Sequence, residues 1–583
     1  MGPVSGAAIV PDLLRERAAE DPGSVALRVG ADEALTLGGW DERSNAAARG
    51  LVARGVRPGD RVALLFGERR WADHAVGYLG VLKAGAVAVP VGSRFAGPEL
   101  ERILANSEPA CLVGSPDATP AGPWWAAELS EMEDGHDQAP FQVAVEADDL
   151  AEILYTSGTT GTSKGVACTH RSIMAHDLPA DGAAAVTGAV AFLHGFPIGT
   201  QAGQETLRVP LRIARRTAIA LATFDPEMAC ALVAEHGVAR LQLVPAMAQV
   251  LVASGAAGRH DVSSVRRVIL SSAHAPPALF VRLQEAFPSA SLWNAYAMTE
   301  AGSARTLTRW DEARPASVGL PVGETEVRIV GDVGDPVPPG EIGEVWLRRR
   351  GTPTRSYHRD PAATAAVFVD GWVRTGDLGH LDEAGHLHLD DRKKDLIISG
   401  GRNISSVEVE DALSEHPEVR EAAVFGAAHP VLGEDVAAAV VAGPSTSVRE
   451  LQDFVRSRLA EHKVPRRIVL VDGLPRNASG KVVKGELRRT FGAAGTTAPF
   501  VAPDRGLEPL VAGVWAEVLS LAQVGADDDF FALGGHSLAA AQIAARLGDA
   551  LGVPVGVGAV FEAPTVAELA RSLDVTASAA GDA

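Results

Sequence analysis

Cysteine is nearly absent. Cys111, Cys168 and Cys230 are widely spaced and odd in number. Neither a disulfide framework nor a zinc cluster follows from them, and a reducing, cytoplasmic setting is expected. Long apolar runs are also missing. Arg, Asp, Glu or Lys interrupts every candidate, so no bilayer-spanning helix and no membrane partner is expected. The opening stretch MGPVSGAAIVPDLL has no basic segment ahead of an apolar one, so a secretory signal is not expected. Positive charge is in deficit, with 53 Lys and Arg against 73 Asp and Glu, a net −20. Bulk electrostatics of that sign argue against nucleic acid as a partner. Internal repeats are lacking.

What is present is enough chain for several cores. At 583 residues, three or four domains are expected. Hydrophobic residues at 46% and charged residues at 22% are ordinary for globular protein. The first half alternates helical and extended patterns: a helix over Asp12–Glu20, a strand over Arg61–Phe66, a helix over Trp71–Ala84, a strand over Gly85–Val91, a helix over Pro98–Asn106. This alternation predicts a largely parallel sheet covered by helices. Asp117–Pro140, rich in Pro, Gly, Ala and acid, reads as an irregular connection. After Arg392 a smaller module follows, with helices over Val407–His416 and Val448–His462 and strands over Glu421–Phe425, Val436–Val441 and Arg467–Val471. Gly492–Pro503 reads as a linker. Leu507–Leu573 is mainly helical, and Asp504–Asp574 holds ten Asp and Glu against three Arg and no Lys.

Tyr155–Val166, YTSGTTGTSKGV, carries the strongest chemical signal. Gly158, Gly161 and Gly165 free the backbone to bend its N–H groups around an anion. Thr156, Ser157, Thr159, Thr160, Thr162 and Ser163 add hydroxyls, and Lys164 adds positive charge. The stretch is a polyphosphate grip without being a Walker A loop, because Ser163 and Gly165 stand where that motif needs glycine and Ser or Thr. Four further strings follow in order. NAYAMTEAG (Asn294–Gly302) lies where a strand ends, a site at which open α/β sheets bind ligands. RTGDLG (Arg374–Gly379), DRKKDLIISGGRN (Asp391–Asn403) and PRNASGKVVK (Pro475–Lys484) complete the set. Taken singly, they read as a helix cap, a turn, a solvated hairpin and a lysine on a tight turn.

In this order, the five strings resemble the adenylate-forming enzymes: acyl-CoA ligases, luciferases and adenylation domains of nonribosomal peptide synthetases. The resemblance covers roughly the first 490 residues. It implies an α/β fold, with a large N-terminal core carrying covering helices and a small mobile α+β subdomain behind it. It also implies that Thr156, Ser157, Gly158, Thr159, Thr160, Gly161 and Lys164 hold the β- and γ-phosphates of ATP. Asn294 and Tyr296 would bind adenine, Thr299 would touch the α-phosphate and Glu300 would hold Mg²⁺. Asp377 would bind ribose with help from Arg392, Lys394 would be the hinge, and Lys481 would stabilise charge at the α-phosphorus. Gly400, Gly401 and Arg402 would enter for the thioester step. The sequence departs from the family at Ala297, where glycine is usual. A sixth string, DDFFALGGHSL (Asp528–Leu538), resembles the 4'-phosphopantetheine attachment site of carrier domains, with Ser537 as the modified residue on a four-helix unit. The expected boundaries are 1–391 for the core, 392–491 for the mobile subdomain, 492–506 for the linker and 507–575 for the carrier.

The substrate segment FLHGFPIGTQAG (Phe192–Gly203) contains no Asp or Glu. Adenylation domains for α-amino acids place an Asp here for the amine, so the resemblance implies a small carboxylic acid without an α-amino group, aryl or short acyl. His194, Gly195, Pro197, Ser272, His274 and Ala297 are the expected pocket walls. Gly195 leaves space, and His194 either packs at the wall or contacts substrate. Glu205 could still serve an amine and rescue an amino-acid-activating reading. Two competing possibilities stand beside these: an acyl-CoA ligase with an accessory carrier, and a degenerate adenylation domain acting as scaffold. The implied partners are a phosphopantetheinyl transferase and a downstream condensation, ketosynthase or tailoring enzyme, whose own basic patches would dock against the acidic surface of the carrier.

Overall fold

A computed structural model describes residues 9–31, 33–92, 95, 97–115, 122–156, 163–175, 190–332, 334–429, 432–477, 480–492, 501–519, 521–526, 528, 530, 533, 535 and 537–581. The chain divides into two compact units. One comprises residues up to Lys394 together with Arg476–Val483; the other comprises Asp395–Pro475 and Lys484 onward.

The larger unit is built on two sheets. In the smaller of these, Leu150–Thr156, Val87–Gly92, Arg61–Phe66, Cys111–Gly114 and Trp125–Ala127 run in that spatial order as a parallel set. Lys164–Thr169 joins it antiparallel to Leu150–Thr156. The run RVALLF is almost wholly buried, as a strand covered on both faces requires. The longer sheet carries Arg216–Ala220, Val190–His194, Arg240–Leu243, Arg267–Leu270 and Ser291–Ala297 side by side and parallel. It then turns antiparallel through Arg305–Arg309 and Ser317–Pro321 to Leu387–Arg392 and Trp372–Leu381. One face of its parallel part, with Leu241, Leu243, Val268, Leu270 and Leu292, packs against Leu232, Leu251, Leu279 and Phe280.

Within Asp117–Pro140, the described residues 122–140 are more ordered than their composition predicts. Trp125–Ala127 extends the sheet edge beside Cys111–Gly114, and Leu129–Glu133 is a short helix closed by a Glu128–Glu131 capping box. The decisive contact is remote. Met132 is buried against the helix Leu37–Ala53, where a Cβ on Gly50 would stand 2.1 Å from the Met132 carbonyl oxygen. The helix expected over Val448–His462 ends at Arg456, and Glu461–Lys463 forms a separate 3₁₀ turn.

A buried ionic network ties the first sheet to the helix Gln201–Arg212. Arg208 Nη1 donates to Glu152 Oε2 at 3.1 Å and to the Tyr78 hydroxyl at 3.0 Å, and Tyr78 donates to the same carboxylate oxygen at 2.9 Å. Glu152 is fully buried. Arg208→Met strands that carboxylate and is expected to cost about 3–5 kcal/mol, read as a lower denaturant midpoint. Adding Glu152→Gln in the same chain should recover much of the loss.

In the second unit, the long hairpin Val419–His429 and Gly433–Ala442 is joined by Ile397–Ser399, Arg402–Ile404 and the parallel strand Arg467–Leu470. Helices Ser406–Ser414 and Val448–Arg456 bury Val409, Leu413, Leu451 and Val455 against it. Among the described residues the C-terminal region forms four helices, Glu508–Leu519, Ser537–Leu551, Val557–Glu562 and Val566–Gly581. Trp515 and Phe530 meet edge-on at 5.4 Å in their core. No helix among the described residues is long and apolar enough to cross a membrane.

Candidate active site

Ser291–Ala297 places its C-terminal end, and the turn that follows, at the carboxyl edge of the parallel strands. Asn294 is buried and donates from Nδ2 to the Ser317 carbonyl at 3.1 Å. The Tyr296 hydroxyl donates to Asp377 Oδ2 at 2.6 Å, and Arg392 Nε donates to Asp377 Oδ1 at 3.0 Å. Asp377 and Arg392 are direct cross-strand partners, which explains why a residue 15 positions away meets this carboxylate. Burial, then the adjacent carboxylate, pushes the Tyr296 phenol well above its ordinary range. Three sequence-predicted residues, Tyr296, Asp377 and Arg392, are therefore one hydrogen-bonded group.

A second group forms around Glu300. Its Oε1 accepts from Thr156 Oγ1 at 3.3 Å and from the Tyr357 hydroxyl at 3.0 Å. Lys164 Nζ lies 4.9 Å from the centre of the Tyr357 ring. Thr156 and Lys164 are cross-strand partners, so the glycine-rich loop closes their hairpin. Ser157, Gly158, Thr159, Thr160 and Gly161 lie outside the described residues. The Thr299 carbonyl accepts from Arg355 Nη1 at 2.5 Å. That nitrogen also donates to Gln201 Oε1, and Gln201 Nε2 donates to the Gly302 carbonyl at 2.7 Å. Sequence reasoning missed Tyr357, Arg355 and Gln201. The pairing of Ser356–Tyr357 with Ala167 and Val166 that brings two of them in leaves no local pattern.

Lys481 sits on a tight hairpin that belongs to the larger unit. Its backbone N–H donates to Asn477 Oδ1 at 2.9 Å, and its carbonyl accepts from Asn477 N at the same distance. Burial and Arg392 push its ammonium down to about 8, with Asp377 and Glu300 acting in the opposite sense and Lys394 reinforcing the fall. The hairpin thus brings Lys481 within electrostatic reach of both groups. Gly400 and Gly401, at φ 55° and 77°, form the turn before Arg402 in the smaller unit. Among the described residues no group of three His, Cys, Asp or Glu could enclose a metal. Glu300 fits a metal that arrives with polyphosphate and needs one protein carboxylate.

The expected pocket residues divide. His194 is fully buried among Trp71, Phe192 and Phe196, with ring centroids at 5.4, 6.4 and 5.9 Å. Burial, aided by Arg240, lowers it to about 3, so it is a neutral imidazole. Neither ring nitrogen has a hydrogen-bond partner among the described residues. The space expected at Gly195 is closed: a Cβ there would lie 3.0 Å from Met247 Sδ and 3.5 Å from Phe224. Thioether and ring have filled the gap that glycine leaves. Thr200 caps the helix Gln201–Arg212 by accepting from Gly203 N at 3.1 Å, and the Pro197 carbonyl accepts from Thr200 Oγ1 at 2.7 Å. Ser272 adopts φ 73°, His274 is partly exposed beyond the strand Arg267–Leu270, and Ala297 is exposed. Glu205 accepts from Gln201 Nε2 at 2.7 Å and faces the charges of Arg208 and Arg212. It is already committed to cationic and amide partners, which argues against a role as amine ligand.

Ser537 is the first residue of its helix; its side chain lies outside the described residues. Gly535 is there because a Cβ would stand 2.4 Å from the buried Phe530 ring.

Known proteins are similar to this chain along most of its length. The profile of the AMP-binding enzymes matches residues 14–358, that of the AMP-binding enzyme C-terminal domain matches 408–481, and that of the phosphopantetheine attachment site matches 509–573. A feruloyl-CoA synthase from Amycolatopsis sp is 35% identical over 500 residues, covering 82% of this chain and 98% of that protein. A linear gramicidin synthase chain from Brevibacillus parabrevis is 30% identical over 585 residues, 97% of this chain and 7% of that much longer protein. The structure of ATP-bound MatB from Rhodopseudomonas palustris superposes with a TM-score of 0.76 at 30% identity, covering 83% of this chain and 99% of that one.

Proposed function

Because the chain belongs to the AMP-binding enzyme family and joins an adenylate-forming acyl ligase to a phosphopantetheine carrier domain, we propose that it loads an organic acid onto its own carrier. The acid's carboxylate attacks the α-phosphorus of ATP, forming acyl-AMP and releasing pyrophosphate. The thiol of phosphopantetheine on Ser537 then attacks the acyl carbon, forming the thioester and releasing AMP. The observation that carries this reading is the convergence, in one unit, of the Tyr296–Asp377–Arg392 group, the Thr156–Glu300 pair and Lys481.

In this proposal the glycine-rich loop with Lys164 grips the β- and γ-phosphates, and Asn294 and Tyr296 flank adenine. Asp377 accepts the ribose hydroxyls, and Thr299 reaches the α-phosphate. A nucleotide-borne Mg²⁺ would be held by Glu300 and would neutralise phosphate charge. Lys481 stabilises the charge that develops at the α-phosphorus. Lys394 is the hinge between the core, 1–391, and the subdomain, 392–491, close to where the two compact units divide. Gly400, Gly401 and Arg402 serve the thioester step, and 492–506 tethers the carrier, 507–575. A cytoplasmic setting, a phosphopantetheinyl transferase and a downstream condensation, ketosynthase or tailoring enzyme complete the proposal.

The substrate is an aryl or short acyl acid without an α-amino group. No carboxylate precedes Pro197 in its segment, and an ammonium beside His194 would meet the Arg240 charge instead of a counter-ion. Intact-mass analysis of the phosphopantetheinylated protein with ATP and an acid library tests the whole reading. AMP release with an acyl mass on the protein is the expected result; ADP release, or acyl-CoA forming faster than acyl-protein when CoA is present, refutes it. The CoA arm matters because a relative similar over 500 residues is a CoA synthase.

Asp377→Ala removes the carboxylate that Tyr296 and Arg392 hold in place. Loss of one charge-assisted contact to the ribose is expected to raise KM for ATP by about 10–100-fold in pyrophosphate exchange.

A further inference from the structure

Among the described residues, six buried polar atoms without hydrogen-bond partners lie on or beside one face of the long sheet. They are both ring nitrogens of His194, Trp71 Nε1, His74 Nδ1, Gln204 Oε1 and Arg240 Nε. Folded interiors pair nearly all such atoms, so a concentration of them marks a layer built for a polar occupant. Contacts tie the group together. Trp71 meets His194 edge-on at 5.4 Å, and Gln204 Nε2 lies 2.9 Å from His74 Nε2.

Strand register gives the layer a direction. Gln242 is the cross-strand partner of His194, and Arg240 is the partner of Phe192. Arg240 therefore lies one pleat repeat, about 7 Å, from the His194 row toward the amino ends of the strands, away from the Tyr296 and Glu300 groups. Its guanidinium lies 5.0 Å from the Phe192 ring centre, and one terminal nitrogen donates to Gln242 Oε1 at 3.1 Å. No carboxylate among the described residues pairs with it. The charges near it are Arg267, Arg216 and Arg305, all of its own sign, and they join burial in pushing it down to about 10. Arg208, by contrast, has Glu152. A half-buried guanidinium whose Nε is shielded from solvent without a partner, among charges of its own sign, is suited to receive an anion.

We propose that the acid activated by this chain carries a second anionic group, a distal carboxylate, which the Arg240 guanidinium receives at the deep end of the acyl pocket. The proposal rests on the acid-loading function above and narrows its substrate class. The planar guanidinium edge suits a carboxylate bidentately. Met247, packed over Gly195, is an unbranched side chain that can swing aside as the acyl chain enters.

The experiment measures pyrophosphate exchange and acyl mass on the phosphopantetheinylated full chain with matched acids: benzoate against terephthalate, and hexanoate against adipate. The diacid of at least one pair should exceed its monoacid in kcat/KM by about a hundredfold. Arg240→Met should collapse that ratio toward one, and Arg240→Lys should restore it in part, since it returns charge without the fork. A wild type that prefers the monoacid in both pairs overturns the proposal and leaves the acid-loading function standing. So does a folded Arg240→Met chain with an unchanged ratio. Should Arg240→Met fail to fold, the wild-type ratio decides alone. Absence of exchange with every acid, including a broad monoacid library, refutes the function itself.

Discussion

Lys481→Ala is expected to slow acyl-adenylate formation by about 10²–10³-fold, read as pyrophosphate exchange. The attack of a carboxylate on a polyphosphate brings two anions together, and the charge that accumulates at the α-phosphoryl oxygens needs a cation already in position. The hairpin closed by Asn477 fixes the Lys481 backbone on both sides, so the ammonium is delivered without the entropy cost of a free chain end. Transfer from supplied acyl-AMP to the carrier thiol involves no pentavalent phosphorus and should fall far less in the variant. A loss equal in both half-reactions would assign Lys481 to folding or nucleotide binding. The pH profile supplies a second readout. Burial, with Arg392 beside it, lowers the ammonium from its ordinary 10.5 to about 8, and the proposed role requires the charged form. Activity is therefore retained below that value and lost as pH rises through it. The alkaline limb of kcat/KM, which reports the free enzyme, should bend near 8 and should be absent from Lys481→Ala.

The parts of this molecule that could be read from the chain are those whose chemistry is contiguous. The glycine-rich loop and the string that holds Gly535 and Ser537 are single segments, and two of their glycines answer local demands: Gly535 makes room for Phe530, and Gly165 lies where a Cβ would be 2.8 Å from Ile153. The alternation of RVALLF with a helix and then GAVAVPV predicted buried parallel strands, and these two are direct neighbours in the sheet. What escaped was long-range. Tyr357 reaches Glu300 only because a two-residue strand pairs with the far arm of the loop hairpin. Arg355 reaches Thr299 across 56 positions of sequence. Met247 closes over Gly195 from the first turn of the helix Pro245–Ser254, so a glycine read as open space is covered. Composition also misled at Asp117–Pro140, where Met132 and Trp125 gain order from surfaces elsewhere in the chain. Periodicity and turn chemistry report on neighbours in sequence, whereas the residues that orient a site are recruited by packing.

Ser537→Ala should abolish covalent loading altogether. The variant has no oxygen to accept phosphopantetheine, so neither the prosthetic mass nor any acyl mass should appear on the protein after treatment with a phosphopantetheinyl transferase, CoA and ATP. The serine opens the helix Ser537–Leu551. Its neighbour Leu538 is 66% exposed, a large apolar side chain left for another surface to cover. Acyl-adenylate chemistry lies in the other compact unit and is expected to continue, so pyrophosphate exchange with the preferred acid should persist in Ser537→Ala. The two readouts separate the candidate functions. Loss of acyl mass with retained exchange is the signature of an enzyme that loads its own carrier. An acyl mass that survives in Ser537→Ala would place the acceptor elsewhere, and steady acyl-CoA production by the variant at the wild-type rate would make the carrier an accessory.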